Sequence, residues 1–145
     1  MSHYLYLDYN CFQRNFDDYR QLRIRMEAVA CEAIFAKAEA GVLDLAWSFI
    51  HEDENHECPF REICEQVKEL SKLCKVKIAP NETIRKNASD IVLKYRVGAK
   101  DALHLACALY SHADMFITCD DEIKKKTGGK LDKMLVINPA EYIIS

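Results

Sequence analysis

Short apolar runs alternate along this chain with amphipathic and wholly apolar stretches, and polar breaks separate them. Residues 4–7 (Tyr-Leu-Tyr-Leu) are continuously apolar and stop at Asp8. Such a run suits a strand buried on both faces, as in a parallel sheet. A polar loop is expected from Asn10 to about Asp18. Leu22, Met26, Val29, Ala33, Ala36 and Ala40 then recur at helical spacing, the apolar face of an amphipathic helix that Gly41 ends. Residues 42–47 read as a second strand, and a polar, acidic segment covers 48–57. Pro59 suits the first turn of a helix through Ile63, Val67, Leu70 and Leu73. Residues 76–78 form a short strand. Asn81 caps a helix through Ile84, Ala88, Ile91 and Tyr95, which Gly98 interrupts. The next helix starts near Lys100, and its body, 102–110, is almost wholly apolar, so it should be central and buried. Residues 115–118 are a strand ending at Cys119-Asp120. A basic stretch, Lys124 to Lys126, leads to a Gly128-Gly129 turn. Residues 135–137 are the last strand, and Asn138-Pro139 opens a short terminal helix. Strands alternating with helices predict an α/β domain with a mostly parallel sheet.

Composition narrows the classes. The 145 residues fit one domain, with half of them hydrophobic and 30% charged, the balance of an ordinary soluble globule. No stretch approaches the ~20 apolar residues of a membrane span. The N-terminal residues carry no basic region and no cleavage-like segment, so no signal peptide is expected. The net charge of −3 excludes a bulk-basic nucleic-acid binder, leaving local patches for any such contact. Seven cysteines, an odd number without a C-x-x-C pair, are expected to be reduced and the compartment cytoplasmic. Cys58, Cys64, His51 and His56 match no usual zinc spacing.

Three acids edge apolar elements. Asp8 follows the first strand, Asp120 follows the strand at 115–118, and Asp101 opens the buried helix. Singly each has a plain structural reading, as a turn residue or as a partner of the helix dipole. Together they are more informative, because open α/β sheets gather function at the carboxyl ends of strands. Clustered carboxylates raise one another's pKa unless a cation sits among them. Hard oxygen ligands select magnesium or manganese over zinc.

The segments Tyr6-Leu7-Asp8-Tyr9-Asn10, Lys100-Asp101-Ala102-Leu103-His104-Leu105-Ala106 and Phe116-Ile117-Thr118-Cys119-Asp120-Asp121 resemble the main signatures of PIN domains, in order and at suitable separations. Val136-Ile137-Asn138-Pro139 resembles the end of the last PIN strand. The resemblance implies a three-layer α/β/α PIN-like fold, with a central, mostly parallel sheet of four to five strands, over a single domain, 1–145. It also implies phosphodiester hydrolysis of RNA dependent on Mg2+ or Mn2+. Asp8, Asp101 and Asp120 would be catalytic metal ligands. A fourth acid is expected after the second strand, among Glu52, Asp53 and Glu54, and Glu54 fits the family arrangement best. Asn10 and Thr118 would orient carboxylates or water. His104, three residues after Asp101 and on the same helix face, is expected to be hydrogen-bonded beside the site rather than to act as a general base. Asp121 would be a spare ligand or a helix cap, with the cap favoured. Arg14 and Arg20 are candidate phosphate contacts, with Lys124, Lys125 and Lys126 behind them.

The segment after the second strand is more polar than in VapC-type toxins, which leaves the toxin role open. An antitoxin and a second copy of the chain are both expected partners of similar proteins. One rival is a non-catalytic PIN-like module for nucleic-acid or protein binding, against which the intact acids argue. Aspartyl-phosphate phosphatases want an Asp where Asn10 stands. Response-regulator receivers want an acidic pair near the first strand's end, which is missing.

Overall fold

The computed structural model describes residues 3–144, so the expected domain limits, 1 and 145, lie just outside it. In chain order the elements are β1 (His3–Leu7), α1 (Tyr9–Gln13), a 3-10 turn (Arg14–Phe16), α2 (Leu22–Glu39), β2 (Leu43–Ser48), α3 (Phe49–Glu57) and α4 (Arg61–Ser71). Then follow β3 (Val76–Ile78), α5 (Glu82–Tyr95), α6 (Ala99–Tyr110), β4 (Met115–Ile117), α7 (Asp121–Thr127), β5 (Lys130–Leu131), β6 (Met134–Ile137) and α8 (Pro139–Ile144). The six strands form one sheet in the order β3-β2-β1-β4-β6-β5. All neighbours are parallel except β5 and β6. The strand beyond the expected four to five is the two-residue β5, which pairs back onto β6 directly after the glycine turn.

The sheet is covered on both faces, which makes three layers. Tyr6, Ala46, Phe116 and Val136 point to one side and pack with Ile84, Ile91, Leu105 and Ile123 of α5, α6 and α7. Leu5, Leu7, Leu45 and Ile117 point to the other and pack with Phe12, Cys31, Ile34 and Val67 of α1, α2 and α4. Successive strand residues face opposite ways, so an unbroken apolar run is what a sheet covered twice requires. The chain lays down β1, β2 and β3 in one direction, then returns to place β4 on the free side of β1. That reversal opens a crevice at the carboxyl ends of β1 and β4.

Three local expectations need correction, and the acidic segment, given no element above, gains one. Residues 10–18 are not a plain polar loop. Asp8 caps α1, and Tyr9, Cys11 and Phe12 are buried by it. The acidic segment 48–57 is helical, because Ser48 and His51 form a capping box. Pro59 lies outside α4, whose N-cap is Phe60. The largest change concerns α2, which is buried through Ala28, Cys31, Ile34, Phe35 and Ala38. The stripe expected to be its apolar face is outward. Leu22 is 62% exposed and Val29 66%. The helix is apolar on two faces, and periodicity cannot choose between them.

Glu27 makes the choice. It is a buried carboxylate on the inner face of α2. Arg14 Nη2 reaches it at 2.8 Å, Arg23 Nε at 3.2 Å, and Asn138 Nδ2 donates to it as well. Arg23 continues to Asp121 and to the Cys119 carbonyl. Glu27 thereby ties α2 to the chain after β4 and to the β6–α8 corner. Removing one member of a buried ion pair leaves the others uncompensated, at a cost of about 3 kcal/mol. Glu27→Ala should therefore lower the urea midpoint by that equivalent with an unchanged m-value. A loss under ~0.5 kcal/mol, the usual range for a surface change, would contradict this account.

Candidate active site

The crevice between β1 and β4 holds the acids. Asp8 is 5% exposed. Its Oδ1 accepts from Tyr9 N at 2.8 Å, and its Oδ2 from Thr118 Oγ1 at 2.8 Å and Asn10 Nδ2 at 3.1 Å. Thr118 Oγ1 also accepts from Asp120 N at 3.0 Å. Asn10 Oδ1 accepts from Cys119 N at 3.2 Å. Thr118 and Asn10 thus lock the ends of the two strands together and set the directions in which Asp8 and Asp120 leave them. Asp120 is the N-cap of α7, accepting from Glu122 N at 2.9 Å. Asp101 sits in the first turn of α6 and is partly buried.

Glu54 is the acid of α3 that turns toward this group. Its Oε1 is hydrogen-bonded to His104 Nε2, and the same nitrogen lies 4.0 Å from Asp8 Oδ1. Glu52 is committed elsewhere, to Trp47 Nε1 and Lys68 Nζ, and Asp53 is exposed. His104 is fully buried. Its Nδ1 meets the Tyr6 hydroxyl at 2.7 Å, and that hydroxyl meets Ser48 Oγ at 2.8 Å. With Tyr6 donating to Nδ1 and Nε2–H donating to Glu54, each atom of the chain has a suitable partner. His104 thus bridges Glu54 and the Tyr6 hydroxyl. His51, which carried no expectation beyond zinc, is buried behind it. Its nitrogens bind Ser48 and the Leu7 carbonyl, and burial followed by the charge of His104 holds its pKa well below the usual range. It has no free nitrogen for zinc.

The acids act on one another. Burial first, opposed by His104 and Thr118 but reinforced by Asp101 and Glu54, pushes Asp8 up to about 6. Asp101 is raised by burial and then by Asp120, with Glu54 adding to it and His104 and Lys126 opposing. The donor set is all carboxylate oxygen, and its mutual repulsion is what a hard divalent cation would relieve. The carboxylates do not form a tight cage. Among the described residues, the one group of three metal-ligating side chains with ligand atoms all within 4.8 Å of one another is Cys11, Cys31 and Cys119. An open arrangement fits magnesium, which keeps several waters and takes one or two carboxylates directly.

The remaining expected residues lie differently. Asp121 is not the cap of α7. It sits in the helix's first turn, with its carboxylate paired to Arg23 at 2.5 Å, because the preceding Asp120 takes the cap. Arg14 is spent on Glu27 and Asp17, and Arg20 is an exposed residue paired with its neighbour Asp18. Lys124 pairs with Glu141. Lys126 is the basic residue whose charge reaches Asp101. Lys100, which sequence reasoning passed over, binds Glu57 at 2.7 Å beside the acids; its adjacency to Asp101 was the available signal.

Residues 60–129 match the family model described as PIN domain. Over this stretch, just under half of the chain, the sequence is similar to PIN domains. Its fold is similar to that of a toxin-antitoxin complex from Klebsiella pneumoniae, with a TM-score of 0.63 and 18% identity, covering 93% of this chain and 97% of that one. It is also similar to VapBC2 from Rickettsia felis, solved bound to a DNA fragment from their promoter, with a TM-score of 0.61, 13% identity and coverage of 93% and 98%. PAE2754 from Pyrobaculum aerophilum aligns with a TM-score of 0.56 and 10% identity over 99% and 96% of the two chains. At these identities the likeness is one of fold. No curated protein matches the sequence. PIN domains are typically nucleases and generally bind divalent metals. No helix among the described residues is long and apolar enough to cross a membrane.

The raised pKa of Asp8 has a stability consequence. A carboxyl with a folded pKa above its unfolded one destabilises the fold once pH exceeds the unfolded value. The rise from 3.8 to about 6 corresponds to ~3 kcal/mol, developed between about pH 4 and 6 and full above that. In EDTA, the stability of Asp8→Asn relative to the parent should therefore rise between pH 4 and pH 7, because the amide does not titrate, while the hydrogen bonds it loses are lost at every pH. A relative stability that stays level or falls over that range would remove this reading of the site.

Proposed function

We propose that the protein is a divalent-metal-dependent ribonuclease, with Asp8, Glu54, Asp101 and Asp120 as its catalytic acids and the whole chain, 1–145, as one domain. The observation that carries this reading is the electrostatic coupling of acids from α3, α6 and the ends of β1 and β4 in one crevice. Asp8, Asp101 and Asp120, with Glu54, would hold Mg2+ or Mn2+. When bound, the metal supplies a water of lowered pKa and a charge that polarises the scissile phosphate. Thr118 and Asn10 fix the Asp8 carboxylate so that one lone-pair direction remains for a ligand, and His104 fixes Glu54 in the same way. Lys126 and Lys100 border the acids and would meet the phosphates of single-stranded or structured RNA.

Labelled RNA should be cut in Mg2+ or Mn2+ and spared in EDTA, with Asp101→Asn losing at least ~100-fold, the upper end for groups that only support ligands. Cleavage surviving in EDTA would remove the metal mechanism. Intact folding and manganese binding without cleavage would favour the alternative, a non-catalytic PIN-like nucleic-acid-binding or interaction module.

Similarity to toxin–antitoxin structures supports an antitoxin partner. The outward stripe of α2, Leu22, Met26, Val29, Ala33, Ala36 and Ala40, repeats in steps of four and three, the spacing of a helix-on-helix seam. Ile143 and Ile144 of α8 extend the same groove. A helical antitoxin segment would lie there. Co-expressed with a small protein encoded beside it, the chain should co-purify, and Val29→Glu should abolish the complex while leaving RNA cleavage intact. A dimer of the chain alone that Val29→Glu dissociates would assign the seam to a second copy instead.

A further inference from the structure

Behind the acidic crevice, three thiols converge from distant parts of the chain. Cys11 lies on α1, Cys31 midway along α2, and Cys119 directly after β4. All three are buried. Their sulfurs lie within 4.8 Å of one another, with Cys11 and Cys119 4.0 Å apart. We propose that Cys11, Cys31 and Cys119 form a buried three-sulfur site for a thiophilic d10 cation, with Cu(I) as its natural occupant.

The geometry selects the class of ion. Metal–sulfur bonds are ~2.3 Å, and an equilateral sulfur triangle about a central ion then has sides of ~4.0 Å. The Cys11–Cys119 separation already has this value, and Cys31 lies within 4.8 Å of both. Soft thiolates select Cu(I) or Zn2+ over hard cations. Structural zinc takes four protein ligands. Here no fourth Cys, His, Asp or Glu joins the group among the described residues, so a three-coordinate ion is favoured. Binding is ligand exchange without oxidation: three thiols release their protons to solvent as three metal–sulfur bonds form. The excess thiolate charge is opposed by Arg14, whose guanidinium acts on Cys119, and by Arg23, which donates to the Cys119 carbonyl at 3.2 Å. A filled site would also brace the loops of the acidic crevice, because Cys119 N donates to Asn10 and Asn10 donates to Asp8. The site itself does not depend on the nuclease reading.

The exposed-side thiols Cys58 and Cys64 lie near each other and would compete, so the test uses the full chain with Cys58→Ser and Cys64→Ser. The reduced protein is titrated anaerobically with Cu(I) against a chromophoric copper(I) chelator. X-ray absorption then counts the sulfurs. One Cu(I) per chain with three sulfurs at ~2.3 Å is expected. Cys31→Ser, remote from the acids, should weaken binding at least ~100-fold and leave two sulfurs. Two-sulfur coordination in the Cys31-containing protein would overturn the proposal. So would affinity unchanged by Cys31→Ser, or preferential loading of four-coordinate Zn2+. If Cys31→Ser does not fold, the sulfur count on the Cys31-containing protein still decides.

Discussion

The Asp8 carboxylate is taken out of water at the junction of two parallel strands, and much of the molecule is arranged around that fact. Burying a charge is costly unless hydrogen bonds or a counter-charge compensate it. Here Tyr9 N, Thr118 and Asn10 supply the hydrogen bonds, and Thr118 and Asn10 also join the end of β1 to the end of β4. No arginine or lysine pairs with Asp8 among the described residues. The compensation is therefore incomplete, and the group's raised pKa records the deficit. Asp101, Asp120 and Glu54 add to that deficit instead of relieving it, directly or through one another. A cluster of acids that destabilises its own fold calls for a cation, and this is the physical content of the metal reading.

The second buried carboxylate shows the opposite solution. Glu27 has two arginines and an asparagine amide, and it fixes the position of α2. The contrast separates structure from chemistry within one chain. Where a buried acid is paired, it holds elements together. Where acids are left facing one another, their repulsion is what an exogenous cation would relieve. The chain Ser48–Tyr6–His104–Glu54 belongs to the same logic, because it uses buried neutral donors to aim a carboxylate without neutralising it.

Much of this was legible in the residue pattern. Residues 4–7 are apolar without interruption, and 115–118 and 102–110 are so but for Thr118 and His104; a strand or helix buried on all sides is what such runs demand. Asp8 and Asp120 follow β1 and β4, which the strand order makes neighbours, and Asp101 opens the buried helix α6. Glu54 stands out among three neighbouring acids on the family arrangement alone; the fold adds that His104 meets it, while Glu52 is held by Trp47 and Lys68. Helix α2 misled because Ala, Leu, Met and Val on one face and Ala, Cys, Ile and Phe on the other look alike to periodicity, while the deciding Glu27 reads as one more surface charge. Arg14 looked available for phosphate for the same reason. Helix α1 was hidden in a polar loop because it is one turn long and depends on the Asp8 cap. The Cys11, Cys31 and Cys119 cluster left no spacing signal, because its members lie on three elements.

The most direct test of the central claim is to locate a bound Mn2+ crystallographically by its anomalous scattering. A single peak, or two close together, is expected, contacting the carboxylates of Asp8, Asp101 and Asp120 directly or through water, with Glu54 beside it. Manganese bound only elsewhere, or absent from the crevice while all four acids are ionised, would contradict it.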